Sequence, residues 1–128
     1  MKLLNRSLIT LSILMLLAGC ATVYTGVVTI TSVVDTGMKA WAEVSAKGMS
    51  SAAVDAKVIE VHNKYREACA VAKIALESYK ANGDQAAYLQ AFAVVKATAA
   101  DLIQLIAPLI NPSKAAKLQT DLSKATKI

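Results

Sequence analysis

Aromatic residues, proline and histidine are scarce in this 128-residue sequence. Phe, Trp and Tyr make up 5% of the chain, and the only prolines are Pro108 and Pro112. Alanine, valine, leucine and lysine are abundant instead, and this composition favours slender helices whose small side chains let backbones approach closely. Because alanine and valine bury less apolar area than leucine or phenylalanine, we expect a thin core of modest stability.

Sequence motifs for catalysis are also missing. The chain shows no nucleophile motif, paired-carboxylate site or phosphate-binding loop. His62, the only histidine, has no second histidine, cysteine or carboxylate at metal-ligand spacing. A solvated or partly buried helix residue is therefore a better interpretation of His62 than a metal ligand or a catalytic base. We predict that the protein is not an enzyme and holds no metal ion or dissociable cofactor.

The N-terminal residues have the three-part layout of a secretory signal. Lys2 and Arg6 form a short cationic segment, and an uncharged run follows over residues 7–19. The run ends at Leu17-Ala18-Gly19-Cys20, which resembles the lipobox of bacterial lipoproteins because leucine, a small residue, glycine and cysteine fall in order. The resemblance covers about the first twenty residues, and the remaining chain carries no family resemblance.

The lipobox resemblance implies cleavage between Gly19 and Cys20, a diacylglycerol on the Cys20 sulfur and an acyl chain on its new amino group. Residues 1–19 are then a signal peptide and residues 20–128 a single domain, since chains of this length rarely divide. In that family an aspartate directly after the cysteine holds the protein at the inner membrane, but Ala21 occupies this position. The resemblance therefore implies an outer-membrane lipoprotein facing the periplasm if the host is Gram-negative.

An uncleaved membrane anchor is the alternative for this region. No charged residue lies between Arg6 and Asp35, and that stretch is long enough to span a bilayer. The small residues before Cys20 and the threonine-rich segment after it favour cleavage instead. Residues 20–34 alone are too short and too polar to cross.

Charge is concentrated in the last part of the chain. The formal net charge of +5 falls to +3 if Lys2 and Arg6 leave with the signal peptide. The surplus lies in a C-terminal tail, which contains Lys114, Lys117, Lys124, Lys127 and, as its only acid, Asp121. This density is too low for a nucleic-acid surface. The tail binds anionic headgroups or cell-wall carboxylates, or it is a solvated helix face, and four lysines favour the second interpretation.

Apolar periodicity predicts an all-α fold. We expect a small antiparallel bundle of three main helices at about 22–49, 51–81 and 84–108, with a short helix at about 112–125 and a helical signal peptide before them. The predicted apolar stripes are Val23, Val27, Ile30, Val34, Gly37, Trp41 and Val44; Val54, Val58, Val61, Tyr65, Ala68, Ala72, Ala75 and Tyr79; Tyr88, Phe92, Val95, Ala99, Leu102, Ile106 and Leu109; and Ala115, Leu118, Leu122 and Ala125. Most aromatic residues fall on these stripes and are predicted to belong to the core.

Capping residues set the predicted boundaries. Ser51 caps the second helix, Asn82-Gly83 ends it, Asp84 caps the third, and Asn111-Pro112 opens the fourth. Because the turn at 82–84 is short, the second and third helices are predicted to form an antiparallel hairpin. Tyr79 and Tyr88 flank this turn, where their rings can pack on each other.

The segment 22–34 carries conflicting signals. Its β-branched residues favour a strand, whereas its four-three spacing favours a helix, and we predict the helix. Gly26, Gly37 and Gly48 are eleven residues apart and lie roughly along one helical line. Tight packing against the second helix, with a terminator at Gly48, is favoured over a groove for a partner helix or the lipid surface.

Cys69 is the only cysteine left if Cys20 is acylated, so no disulfide framework holds the fold. Its position beside the second stripe favours a small buried hydrophobe. The alternative is a disulfide between the Cys69 residues of two copies in an oxidising periplasm.

Two classes of function remain. The first is a membrane-anchored envelope lipoprotein with a non-catalytic structural role or a role in binding an envelope protein, the cell wall or further copies of itself. The second is a small helical module that binds an apolar ligand between its helices. An inhibitory or exclusion lipoprotein acting on an envelope partner is a third hypothesis that no residue selects.

Overall fold

The computed structural model of the protein describes residues 26–126, and these residues form four α-helices. Helix α1 covers 26–46 of the described chain, α2 is Ala52–Asn82, α3 is Gln85–Ile106 and α4 is Pro112–Thr126, with a 3-10 turn at Ala107–Leu109. No strand occurs in this range, so the predicted all-α bundle is confirmed. The signal peptide predicted at 1–19 lies outside the described residues.

The predicted capping residues form the helix ends. The Ser51 hydroxyl accepts a hydrogen bond from the amide three residues later at 3.2 Å, and the Asp84 carboxylate does the same at 3.3 Å. Gly83 ends α2 in the left-handed conformation, with φ of 77°, and its amide donates to the Tyr79 carbonyl. Glycine suits this position because it lacks the Cβ that makes positive φ unfavourable. Asn111 accepts from the Ser113 amide at 2.8 Å, and α4 begins at the next residue after Asn111, as predicted.

Two helices were predicted to extend too far at their C-terminal ends. The first helix was predicted to reach 49 but ends at 46, and Gly48 then turns the chain with φ of 69°. The third was predicted to reach 108 but ends at Ile106, where the chain tightens into the 3-10 turn. Pro108 explains this difference, because it has no amide hydrogen to continue the α-helical ladder.

Residues 26–34 are helical, which confirms the periodicity prediction over the propensity for a strand. The physical reason is burial. Ile30 and Val34 have no exposed surface, and both lie on one face of α1. Removing these side chains from water outweighs the propensity differences of a few tenths of a kcal/mol per residue that disfavour β-branched residues in helices. The prediction for residues 22–25 lies outside the described range.

The core follows the predicted stripes. Each predicted stripe residue between Val27 and Ala125 is buried or partly buried. The largest fully enclosed side chains are Phe92, Ile30, Leu102, Ile103, Ile106, Val34, Val58 and Val95. Helix α3 is the central element, since it contributes five of these eight side chains.

The glycines of α1 mark close contacts within the chain. A Cβ at Gly37 would lie 2.9 Å from Ile103 Cδ1, and one at Gly26 would lie 3.1 Å from Phe92 Cζ. Packing within this chain is therefore confirmed, but the prediction that the second helix provides it was wrong. The first helix places these glycines against α3 and α4, because Leu118 Cδ1 and the Ala125 carbonyl are the next neighbours.

The four helices alternate in direction. Tyr65 of α2 meets Thr31 of α1, and Asp55 meets Trp41, so α1 and α2 run antiparallel. The rings of Tyr79 and Tyr88 stack across the turn at 6.2 Å between centroids, which confirms the predicted hairpin contact. We call the end with the turn 82–84, residue 26 and the last turn of α4 the hairpin end. The opposite end, with 47–51 and 107–111, is the loop end.

One stretch in the described part of the chain, Gln85–Leu109, is long and apolar enough to cross a membrane by length and composition. It is α3 together with the 3-10 turn. This is weak evidence for a membrane span, because the core helix of a soluble bundle has the same length and composition.

Candidate functional site

The strongest site predicted from the sequence is the lipid attachment residue Cys20, with cleavage between Gly19 and Cys20. Both residues lie outside the described range of 26–126. The separation along the chain is nevertheless known: Cys20 lies six positions before Gly26, the first described residue of α1, with five residues between them.

The side chains of His62 and Cys69 line one polar cleft between α1 and α2. Its other lining residues are Thr31, Asp35, Tyr65 and Arg66. The Thr31 hydroxyl lies 2.9 Å from the Val27 carbonyl, to which it donates, and 3.1 Å from the Tyr65 hydroxyl. Because a hydroxyl has one hydrogen, the Tyr65 hydroxyl donates to Thr31. This hydrogen bond ties α1 to α2 at the base of the cleft.

Two side chains of this cleft have shifted pKa values. Burial, followed by the positive charge of Arg66, lowers the pKa of His62, while Asp35 opposes the shift. His62 is therefore neutral at pH 7, and its ring stacks on that of Tyr65 at 6.3 Å. Burial also raises the pKa of Tyr65. Both aromatic rings are thus uncharged packing groups with polar edges.

The cleft does not assemble a catalytic pair from these residues. Cys69 lies seven positions after His62 on α2, which places them about 10 Å apart along the helix axis. A thiol and an imidazole need hydrogen-bond distance to act together. Within residues 26–126, no group of three histidine, cysteine or acidic residues is placed to hold a metal ion.

Cys69 is only partly buried, so the prediction of a buried hydrophobe holds in part. It packs against the core on one side and faces the cleft on the other. His62 is likewise partly buried, as its sequence position indicated. Sequence reasoning missed that these two residues share one surface, because it considered each position separately.

A concave surface lies between α1 and α4. It is a groove of about 530 Å³ with an apolar floor that includes Val33 and Leu118. Three lysines, Lys39, Lys114 and Lys117, stand around it, together with Glu43 and Asp121. Within the described chain, the ion pairs shorter than 4.0 Å join Lys57 and Lys64 to Glu60 at 3.6 and 3.4 Å, so the groove lysines have no close carboxylate partner. The groove therefore combines apolar contact area with unpaired positive charge.

A second groove, of about 330 Å³, lies at the hairpin end. Val27, Leu76 and Tyr88 give it an apolar surface, and Lys73 and Lys80 stand at its edge with Glu77. The predicted basic tail is therefore divided by the fold. Lys114 and Lys117 belong to the α1–α4 groove, whereas Lys124 lies in the last turn of α4 at the hairpin end.

Asp55 joins α2 to α1 and to the connecting loop at the loop end of the bundle. Its carboxylate accepts hydrogen bonds from the Trp41 indole at 2.9 Å, the Ser45 hydroxyl at 2.9 Å and the Ser50 hydroxyl at 2.6 Å. The Ser50 hydrogen bond is the largest cause holding the pKa of Asp55 below its ordinary value of 3.8, and the other two act in the same direction. Periodicity could not reveal this cluster, but a tryptophan on a stripe needs a partner for its N–H when it is buried.

We expect Asp55→Asn to destabilise the bundle at neutral pH, because the amide nitrogen cannot accept from the three donors. The pKa of Asp55 is held below 3.8, so the unfolded chain takes up the proton first as pH falls. The carboxylate therefore stabilises the fold fully above that value and loses this effect below it. The difference in thermal midpoint between wild type and Asp55→Asn should be large at neutral pH and shrink near about pH 3.

Trp41 fluorescence measures this transition directly, because its indole donates to Asp55 and it is the only tryptophan. Asp101→Asn on the exposed face of α3 is the matched control and should leave the midpoint almost unchanged at both pH values. Equal midpoints for Asp55→Asn and wild type at neutral pH would show that the cluster does not stabilise the fold.

Comparison with known proteins adds no relative: no family model, no curated protein and no solved structure matches this chain. The function is therefore argued from the residues and their arrangement.

Proposed function

We propose that this protein is an envelope lipoprotein, anchored to the membrane by acyl chains on Cys20, with a non-catalytic structural or protein-interaction role. The observation that carries the proposal is the position of Leu17-Ala18-Gly19-Cys20, six residues before a packed helical bundle. A cleavage site there would leave Cys20 at the start of the mature chain with its folded part directly after it. Ala21 supports the outer membrane of a Gram-negative host, with the domain facing the periplasm.

The short linker restricts what the protein can reach. Six residues extend at most about 20 Å, so an acylated Cys20 holds the start of α1 within that distance of the membrane surface. Diacyl and N-acyl chains together make release negligible, since each buried methylene contributes about 0.8 kcal/mol. Partners must therefore lie in the membrane, at its surface, or within one bundle length of it.

Surface features of the bundle support an interaction role. Apolar side chains stand in solvent at Met49, Ile74 and Val71, which are 72%, 67% and 57% exposed. The α1–α4 groove adds a concave surface with three lysines that lack close carboxylate partners. Single exposed apolar residues are ordinary, so the groove is the better candidate for the contact surface.

Photo-crosslinking in intact cells tests this role. A benzophenone amino acid at Ser32, which lines the α1–α4 groove, should give discrete products with an envelope component. The same amino acid at Glu67, an exposed position of α2 that does not line the groove, is the matched control and should give none of them. Absence of products at Ser32, or the same products at both positions, would contradict the groove as the contact surface.

A ligand-binding module is the second candidate, and the volume of the α1–α4 groove favours it. About 530 Å³ falls within the range of small-molecule sites. Its lysines suit an anionic ligand better than the purely apolar one that the sequence suggested. Mass spectrometry of the detergent-extracted protein under non-denaturing conditions should then detect a bound anionic molecule, which Lys39→Glu combined with Lys117→Glu removes.

A further inference from the structure

The α2–α3 hairpin projects beyond Gly26, the first described residue of α1. Val27, in the first turn of α1 that the structure describes, shares a groove with Leu76 and Tyr88. Helix α2 continues for six residues past Leu76 before it ends at Asn82. At 1.5 Å per residue, the turn 82–84 therefore stands about 9 Å beyond the level of Gly26.

The projecting turn and the anchor point lie on the same side of the bundle. This step rests on the proposed function, since it requires acylated Cys20 in the headgroup region. The six steps of the chain from Cys20 to Gly26 cover about 20 Å when fully extended and about 9 Å at helical rise. The turn passes Gly26 by about 9 Å toward Cys20, so it would end about 11 Å short of the level of Cys20 in the first case and at that level in the second. The headgroup layer is itself about 5–7 Å thick, and a lysine side chain covers a similar distance.

The chemistry of the hairpin end suits an anionic membrane surface. Lys73 and Lys80 lie on the same face of α2, and Lys124 lies in the last turn of α4. The acids at this end are Glu77, which lies beside Lys73 and Lys80 on α2, and Asp84, which accepts the amide of Ala87 as the cap of α3. The three lysines therefore exceed the two carboxylates by one positive charge. Leu89, near the start of α3, is 45% exposed and offers apolar contact. Each lysine close to an anionic surface strengthens attachment about fivefold.

We propose that the turn 82–84 and the lysines of the hairpin end rest on anionic phospholipid headgroups, so that the bundle stands with its loop end away from the membrane. Lys80 and Lys124 contact the lipid phosphates. The loop end, with Lys39 and Lys114 of the α1–α4 groove, then faces the partner side. The anchor therefore fixes an orientation as well as a location.

Quenching by a nitroxide attached to lipid headgroups tests this orientation. The acylated protein, with Cys69→Ala, is reconstituted in phosphatidylcholine vesicles containing phosphatidylglycerol, and a fluorophore is placed at Gln85→Cys or at Lys47→Cys. Both positions are exposed, and they lie at the hairpin end and the loop end respectively. Because the 31-residue α2 is about 45 Å long, a headgroup quencher can reach only one end. We expect strong quenching at Gln85→Cys and little at Lys47→Cys.

A charge-reversal pair tests the lysines. Lys80→Glu with Lys124→Glu should reduce quenching at Gln85→Cys several-fold, whereas Lys39→Glu with Lys114→Glu, which changes the net charge equally, should leave it unchanged. Equal quenching at the two labels of a protein that floats with the vesicles overturns the orientation alone, and so does greater quenching at Lys47→Cys. A protein that does not float overturns the proposed anchor and the orientation together. Equal effects of the two charge-reversal pairs overturn the contact between lysines and lipid.

Discussion

We expect Cys20→Ser to abolish acylation of the chain and the membrane anchoring that depends on it. Serine cannot form the thioether to diacylglycerol, so the precursor is either left uncleaved or cut elsewhere without acylation. Incorporation of labelled palmitate should fall to background. Since the acyl chains supply the binding energy, processed molecules should move from the membrane pellet to the soluble fraction.

Cys69→Ser is the matched control, because Cys20 and Cys69 are the only cysteines. This variant should keep full palmitate incorporation and full sedimentation with membranes. Cys69 is partly buried in the cleft between α1 and α2, and serine fits the space of the thiol. Palmitate on the Cys20→Ser protein, or loss of palmitate from the Cys69→Ser protein, would contradict acylation at Cys20.

Phe92→Ala should be the most damaging single substitution in the described core. Phe92 is 2% exposed, its ring edge contacts Gly26 of α1, and the ammonium of Lys96 lies 4.8 Å from the ring centroid. Removal of a buried phenylalanine side chain costs about 3–5 kcal/mol, because it combines lost burial with a cavity. Native domains have about 5–15 kcal/mol in total, so the variant should lose a large share of its free energy of unfolding.

Urea unfolding followed by circular dichroism measures this loss, and cleaved Cys20→Ser protein, which carries no acyl chains, avoids detergent. Leu89→Ala on the same helix is the control. Leu89 is 45% exposed, so its truncation should cost far less than that of Phe92. Similar losses for both variants would mean that Phe92 is not enclosed as described.

Local signals on the sequence were sufficient for most of the fold. Four-three spacing identified the buried face of each helix, because burial of that face is what holds a helix in a bundle. Ser51, Asp84 and Asn111 marked helix starts, and Gly83 marked an end, because their conformations depend on neighbouring residues only. The prediction for 26–34 was correct because spacing reflects tertiary burial, whereas β-propensity does not.

Contacts between distant residues were harder to predict. Gly37 packs on Ile103 and Leu118, and no local pattern specifies which helices lie beside α1. The three donors to Asp55 come from positions 41, 45 and 50, so the cluster exists only once the chain turns at Gly48. The placement of Lys114 and Lys117, but not Lys124, in the α1–α4 groove has the same origin.

The proposed lipid attachment site differs in kind from these contacts. The lipobox resemblance rests on four consecutive residues, so it can be identified without a fold. The grooves and the polar cleft, in contrast, are products of packing. This difference explains why an anchor could be proposed from the sequence alone, whereas the candidate contact surface required the structure.

Intact-mass analysis of the N-terminal peptide from membrane-extracted protein tests the central proposal most directly. If Cys20 is the anchor, we expect a mature chain that begins at Cys20 and carries both a diacylglyceryl group and an amide-linked acyl chain. A mature chain that begins at any other residue, or an unmodified Cys20, would contradict it.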